Sequence, residues 1–152
     1  VFRRMRGPAG EAMVLDENFF VEKMLFEHGI VRQLTEPEKA HYRAPYLVPG
    51  VSRLPTLIWP REIVFDGDPA DNYPMVKQYS DWLAVSAHLP KLFVNAEQGH
   101  GTAGAARDFC RAWPKQREMT LPAKHFLQED CPHELGEALA GFIAEVRAGG
   151  GS

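Results

Sequence analysis

The segment Met119-Thr-Leu-Pro-Ala-Lys-His125-Phe-Leu-Gln-Glu-Asp130-Cys-Pro-His-Glu-Leu135 joins a strand to a helix. Glu118-Met119-Thr120-Leu121 has the length and character of a short buried strand. Pro132 suits the first turn of a helix, and Leu135, Leu139, Phe142, Ile143 and Val146 then recur at helical spacing to about Arg147. Between strand and helix lies a loop carrying His125. If the strand belongs to a parallel sheet, that loop sits at its carboxyl end, where open α/β sheets build their sites. Histidine there suits proton transfer near neutral pH. His28, His41, His88, His100 and His133 have no comparable setting.

The same grammar extends upstream. Leu92-Phe93-Val94-Asn95 is a second short apolar run, led in by Pro90-Lys91. A helix is expected before it from Pro74 to Ala87, with Met75, Val76, Tyr79, Trp82 and Leu83 on one face. After it, Gly99-His100-Gly101 forms a turn and a helix runs from about Ala103 to Trp113. Helix, strand, helix, strand, helix is the order of a parallel α/β sheet. Two strands make a poor sheet, because edges and faces stay uncovered. The expectation is the end of a longer fold, with an incomplete sheet.

The first third reads differently. An apolar stripe through Phe19, Phe20, Met24 and Leu25 predicts a short helix after Asp16. Thr35-Glu36-Pro37-Glu38 places a cap, a first-turn proline and a capping-box glutamate ahead of a helix over about Glu36 to Tyr42. Pro45, Pro49, Pro55 and Pro60 then predict an irregular segment containing Trp59. No strand pattern precedes Ile63.

With 152 residues and a net charge of −3, the chain has the size of one domain and no basic groove for nucleic acid. The run Arg3, Arg4 and Arg6 reads as solvation of a helix end. Two cysteines, Cys110 and Cys131, form no disulfide framework, and nothing suggests a metal site or a cofactor. No apolar stretch approaches the roughly 20 residues of a membrane span. The opening VFRRMRGPAG does not read as a signal peptide, which says nothing of the compartment if the true start lies upstream; the cytoplasm is only the default. The chain starts with valine, which fits either a trimmed chain or a piece of a longer gene.

His125-Phe-Leu-Gln-Glu-Asp-Cys-Pro132 resembles the HF-x-QED-x-P block of haloalkane dehalogenases, enzymes of the α/β-hydrolase fold. Pro90-Lys-Leu-Phe-Val-Asn-Ala-Glu97 followed by Gly99 looks like their penultimate strand and loop. Arg107-Asp-Phe-Cys110-Arg-x-Trp-Pro114 looks like their next helix. Tyr42-Arg-x-Pro45-Tyr and Thr56-Leu-Ile-Trp-Pro-Arg-Glu-Ile63 look like the end of their cap domain. The blocks keep the family's order and spacing across nearly the whole chain. The resemblance implies residues 1–62 as the end of the helical cap, 63–148 as the end of the main domain, and 149–152 as a tail.

It also implies a chemistry. In the family an aspartate displaces halide from a small halogenated organic substrate, and a histidine then activates the water that opens the alkyl–enzyme ester. The α/β-hydrolase histidine comes last in chain order, so His125 carries over as the base. Phe20, Trp59, Pro60, Ile63 and Phe126 match pocket-lining positions; His100 and Gly101 match the tunnel mouth. Core packing is the plainer reading for Phe20, Ile63 and Phe126 taken without the resemblance. Glu97 is a candidate for the acid that orients the imidazole, although its block looks like members whose acid lies upstream.

The nucleophile elbow and the halide-binding Asn and Trp are absent, so this chain would need an N-terminal half and be inactive alone. Three departures from the family stand out: Lys124 ahead of His125, Cys131 ahead of Pro132, and the polar, flexible His100-Gly101. The neighbouring readings are a coelenterazine luciferase, which shares these blocks, an ester hydrolase with a serine upstream, or a non-catalytic truncated product.

Overall fold

The computed structural model describes residues 1–149, and its contacts group into two units. One comprises Val1–His28 with Gln33–Ser80; the other comprises Gly29–Arg32 with the chain from Asp81 onward. Of the expected tail, residues 150–152 lie outside the described residues.

The first unit is helical. Helix α1 spans Phe2–Arg6, and two segments wound as π-helix follow at Ala12–Asp16 and Phe20–Gly29. Asn18, with φ 53°, separates them, and its carbonyl accepts from Val21 and Glu22 N–H. The helix expected after Asp16 is therefore present, but wider in winding and longer. Met5, Met13, Val14 and Leu57 form the core, with Phe2, Leu15, Phe19 and Phe20 packed around them.

Helix α2, Glu36–Arg43, starts as its sequence predicts. Glu38 N–H donates to Thr35 Oγ1 at 3.4 Å, and Thr35 N–H donates back to Glu38 Oε2 at 2.7 Å. The proline-rich segment corrects the expectation of irregular chain: Leu54–Glu62 is helix α3, with Trp59 and Pro60 inside it. Pro55 falls in the first turn, where no N–H is required. Pro60 removes one helical bond, yet it is almost fully buried, and with Thr56 and Leu57 it seats the helix in the core. Ahead of α3, buried Arg53 donates to the carbonyls of Leu15, Asp16 and Tyr46 at 2.7–2.9 Å.

Arg43 grips Glu22 with two parallel bonds, at 2.7 and 2.8 Å. That guanidinium holds the Glu22 carboxyl below its ordinary value, outweighing the opposing effect of burial. A depressed carboxylate stabilises the fold above its unfolded pKa and loses that stabilisation as pH falls through the folded one. Glu22 should therefore titrate below the usual glutamate range, and Arg43→Met should bring it back up. An NMR-followed carboxyl titration checks this; a midpoint unmoved by the substitution would refute the pairing.

Helix α4, Asn72–Val85, leads into the second unit. There β1, Lys91–Ala96, is followed by α5, Ala105–Arg111, then β2, Gln116–Leu121, α6, Leu127–Asp130, and α7, Pro132–Gly149. The strands are parallel and in register from Lys91 opposite Gln116 to Ala96 opposite Leu121. Asn95 and Thr120, partners in that register, also bond through their side chains at 3.2 Å. Both strands, α4, α5 and α7 thus lie where periodicity placed them, the strands and α7 longer by a residue or two at their ends, α4 shifted by two residues and α5 trimmed at both ends. The chain has the partial α/β fold expected, with a two-stranded parallel sheet among its described residues. No helix among them is long and apolar enough to cross a membrane.

The buried Lys91 shows how β1 is fixed. Its ammonium donates to the carbonyls of Ser86, Leu89 and Pro114 at 2.8–3.1 Å. Lys91→Met would keep the apolar stem and orphan three carbonyls. The expected cost is about 3 kcal/mol, read as roughly hundredfold faster amide exchange across β1. Unchanged exchange there would show that the ammonium is dispensable.

Candidate active site

Beyond Leu121 the chain leaves the sheet and turns back under tight control. Leu121, Ala123 and Cys131 are buried together, with Val94, Met119, Leu127 and Leu135 packed against them. The two strand ends stay tied beyond the ladder, for Glu97 N–H donates to Leu121 O and Gln98 N–H to Ala123 O, at 2.9 and 3.0 Å. Apolar packing and backbone bonds thus hold both feet of the loop, and His125 rides on it.

The imidazole of His125 is exposed, set edge-on to Phe126 with ring centroids 4.9 Å apart. Gly101 lies against it: a Cβ there would meet Nδ1 and Cε1 at 3.4 and 3.5 Å. Gly99 is forced by close approach, since a Cβ would stand 2.7 Å from that of Ala96. His100, between the two glycines, is exposed. The structure thus brings together His125, Phe126 and Gly101. Glu97 is exposed, and among the described residues no hydrogen bond joins its carboxylate to His125.

Sequence reasoning passed over Asp130. Its Oδ2 accepts Lys124 N–H at 3.0 Å, while its Oδ1 accepts Val31 and Arg32 N–H at 2.8 and 3.1 Å. Phe126 N–H donates to Gly29 O at 3.0 Å. Both neighbours of His125 are therefore tied, one through Asp130 and one directly, to the segment Gly29–Arg32. Arg32 adds bonds to the carbonyl and carboxylate of Glu129, at 2.8 and 2.6 Å. The signal in the sequence was the acidic pair itself, just before a helix, but two of the three N–H partners of Asp130 lie almost a hundred residues upstream.

Cys131, one of the departures from the family, precedes α7 and is buried. It offers no side-chain oxygen to the N–H groups of the first turn of α7, whose N-terminal residue is Pro132, while Cys131 O accepts Leu135 N–H at 3.0 Å. Burial pushes both the Cys131 and the Cys110 thiols up. Among the described residues no cluster of His, Cys, Asp and Glu could hold a metal ion.

The other expected site residues lie in the first unit. Phe20 stands at the start of its π-helical segment, edge-on to Trp59 with centroids 5.8 Å apart. Phe2 meets the same indole from 6.0 Å. Pro60 is buried behind Trp59 in α3, and Ile63, half-buried, ends that helix. Trp59 itself remains about half exposed, an apolar ring held by aromatic neighbours without being covered by them.

A parallel β–α–β pair with a histidine on the loop after its second strand is the arrangement that ends an α/β-hydrolase sheet, and likeness to solved structures puts the chain in that superfamily. A haloalkane dehalogenase from Bradyrhizobium elkani superposes with a TM-score of 0.88 at 39% identity, over 97% of this chain and 51% of that one. A haloalkane dehalogenase of Sphingobium indicum is 49% identical over 147 residues, 97% of this chain and 49% of the relative. The chain is thus a homologue of the haloalkane dehalogenases, matching their C-terminal part. It spans about half the length of the curated relatives it matches. The coelenterazine h 2-monooxygenase of Renilla reniformis is 36% identical over 93% of this chain and 45% of its own length. No family model matches the chain.

Proposed function

We propose that this chain is the C-terminal half of an enzyme that hydrolyses carbon–halogen bonds, and that His125 is its water-activating base. The observation that carries the reading is an exposed imidazole at the carboxyl end of β2, steadied on both sides through the backbone. Residues 1–62 would then be the end of the cap and 63–148 the end of the main domain.

Two steps follow. An aspartate of the N-terminal half attacks the carbon bearing the halogen; a C–O bond forms, the C–halogen bond breaks, and halide leaves with the electron pair. Water then adds to the ester carbonyl while His125 takes its proton, and the alcohol departs as the aspartate is restored. An acid must hold the resulting imidazolium; it comes from the N-terminal half or is Glu97. In the first unit Phe20, Trp59 and Ile63 match positions that line the family's apolar pocket, and in the second Phe126 stands beside the base. At Gly101 the missing side chain, together with His100, leaves the approach to His125 open and polar.

The test joins this chain to the N-terminal half of the Sphingobium indicum relative and measures halide release from a bromoalkane. Release that is absent from the isolated chain and present in the joined protein is expected. Light emission with coelenterazine and no halide release would move the reading to the monooxygenase side, and ester hydrolysis alone would move it to an esterase.

A further inference from the structure

We propose that Asp130 is a positioning residue for His125, acting through the backbone on either side of the imidazole. This rests on His125 being the base. The carboxylate touches neither substrate nor imidazole. It accepts three backbone N–H groups from two distant stretches, Lys124 on one side and Val31 and Arg32 on the other. A carboxylate is the side chain suited to that task, since its two oxygens both accept and neither donates.

The geometry leaves His125 between two anchors. Lys124, directly before it, is held by Asp130 Oδ2; Phe126, directly after it, is held by Gly29 O. Both lead to the same four residues, Gly29–Arg32, which group with the sheet-bearing unit and not with the helices flanking them in sequence. The ion pair of Arg32 with Glu129, at 2.6 Å, draws the same two pieces together from outside. Asp130 is thus the joint between the base-bearing loop and a short crossing segment. The general base must come within hydrogen-bond reach of a water at the ester. A displacement of about 1 Å at such a group costs on the order of a hundredfold in rate. Lys124, whose side chain departs from the family's habit, takes part through its N–H alone, which any residue but proline could supply.

Asp130→Asn is the sharper variant: it keeps size and one acceptor but aims an amide N–H at one of the backbone donors. Asp130→Ala removes the joint altogether. In the chain joined to the Sphingobium indicum N-terminal half, rapid-quench kinetics separate halide release from ester hydrolysis. Both variants are expected to keep the halide burst and to slow ester hydrolysis by about a hundredfold, with faster amide exchange at Val31, Arg32 and Lys124 and unchanged exchange in β1. Hydrolysis at the parent rate, or an equal loss in both steps with exchange rising through the whole sheet, would overturn the proposal. His125→Phe run alongside keeps the two ideas apart. Were it to trap no alkyl-enzyme, the reading of His125 would fail; were it to trap one while Asp130→Asn hydrolyses normally, only Asp130 would fall.

Discussion

His125→Phe, in the enzyme assembled from this chain and an N-terminal half, is expected to release one halide per protein and then stop. The first step needs no base, because a carboxylate displaces halide unaided, so it should survive. The second needs a proton taken from water, and the two residues seen against the imidazole, Gly101 and Phe126, carry no side chain that could accept it. Phenylalanine keeps a ring to pack against Phe126, so the loop should hold its course. The loss in steady turnover should be about a thousandfold, and mass spectrometry should show the protein heavier by one alkyl group. Intact turnover without an adduct would remove His125 from the mechanism. Loss of both steps together would instead mean that the ring holds the loop and does no chemistry.

Much of the fold was legible because its signals are local. The Thr35–Glu38 capping box lies within four residues, and both of its bonds form. The runs around Leu92 and Thr120 are short, apolar and bounded by turns, which is how a buried parallel strand reads. His125 does stand on the loop after β2, but its role as base came from the resemblance to the haloalkane dehalogenases and not from local pattern.

What was not legible is non-local. Pro55 and Pro60 break the local pattern of α3, and only the tertiary burial of Thr56, Leu57 and Pro60 explains why the helix persists. The wide winding of Phe20–Gly29 has no marker in the residues themselves. Nothing near Gly29–Arg32 announces that this segment leaves its neighbours to join the sheet-bearing unit. Its anchor, Asp130, is an ordinary acidic residue until the N–H groups of Val31, Arg32 and Lys124 are seen converging on it. Periodicity finds the elements; it does not find the joints between them.

The isolated chain should bind an apolar dye and melt over a broad range, and the N-terminal half of a relative should sharpen that melt. Periodicity put Met75, Val76, Tyr79 and Trp82 on one face of α4, and Leu139, Ile143 and Val146 on one face of α7, as faces meant for burial. In this chain both faces are open to water: Tyr79 is 61% exposed and Ile143 46%. In the first unit Val51 is 85% exposed. Stripes at helical spacing are the faces that helices bury, and on the proposed reading the N-terminal half covers these. The sheet tells the same story, since β1 and β2 pair only with each other among the described residues, leaving a ladder edge free on each side. A partner that binds the folded chain and not the unfolded one stabilises it by mass action, by about 3 to 4 kcal/mol when present at a hundred to a thousand times its dissociation constant. Titrating the N-terminal half should therefore raise the melting temperature steadily with concentration and quench the dye. A sharp melt of the chain alone, independent of its concentration and of the added half, would mean that the exposed stripes are an ordinary surface of a self-sufficient fold.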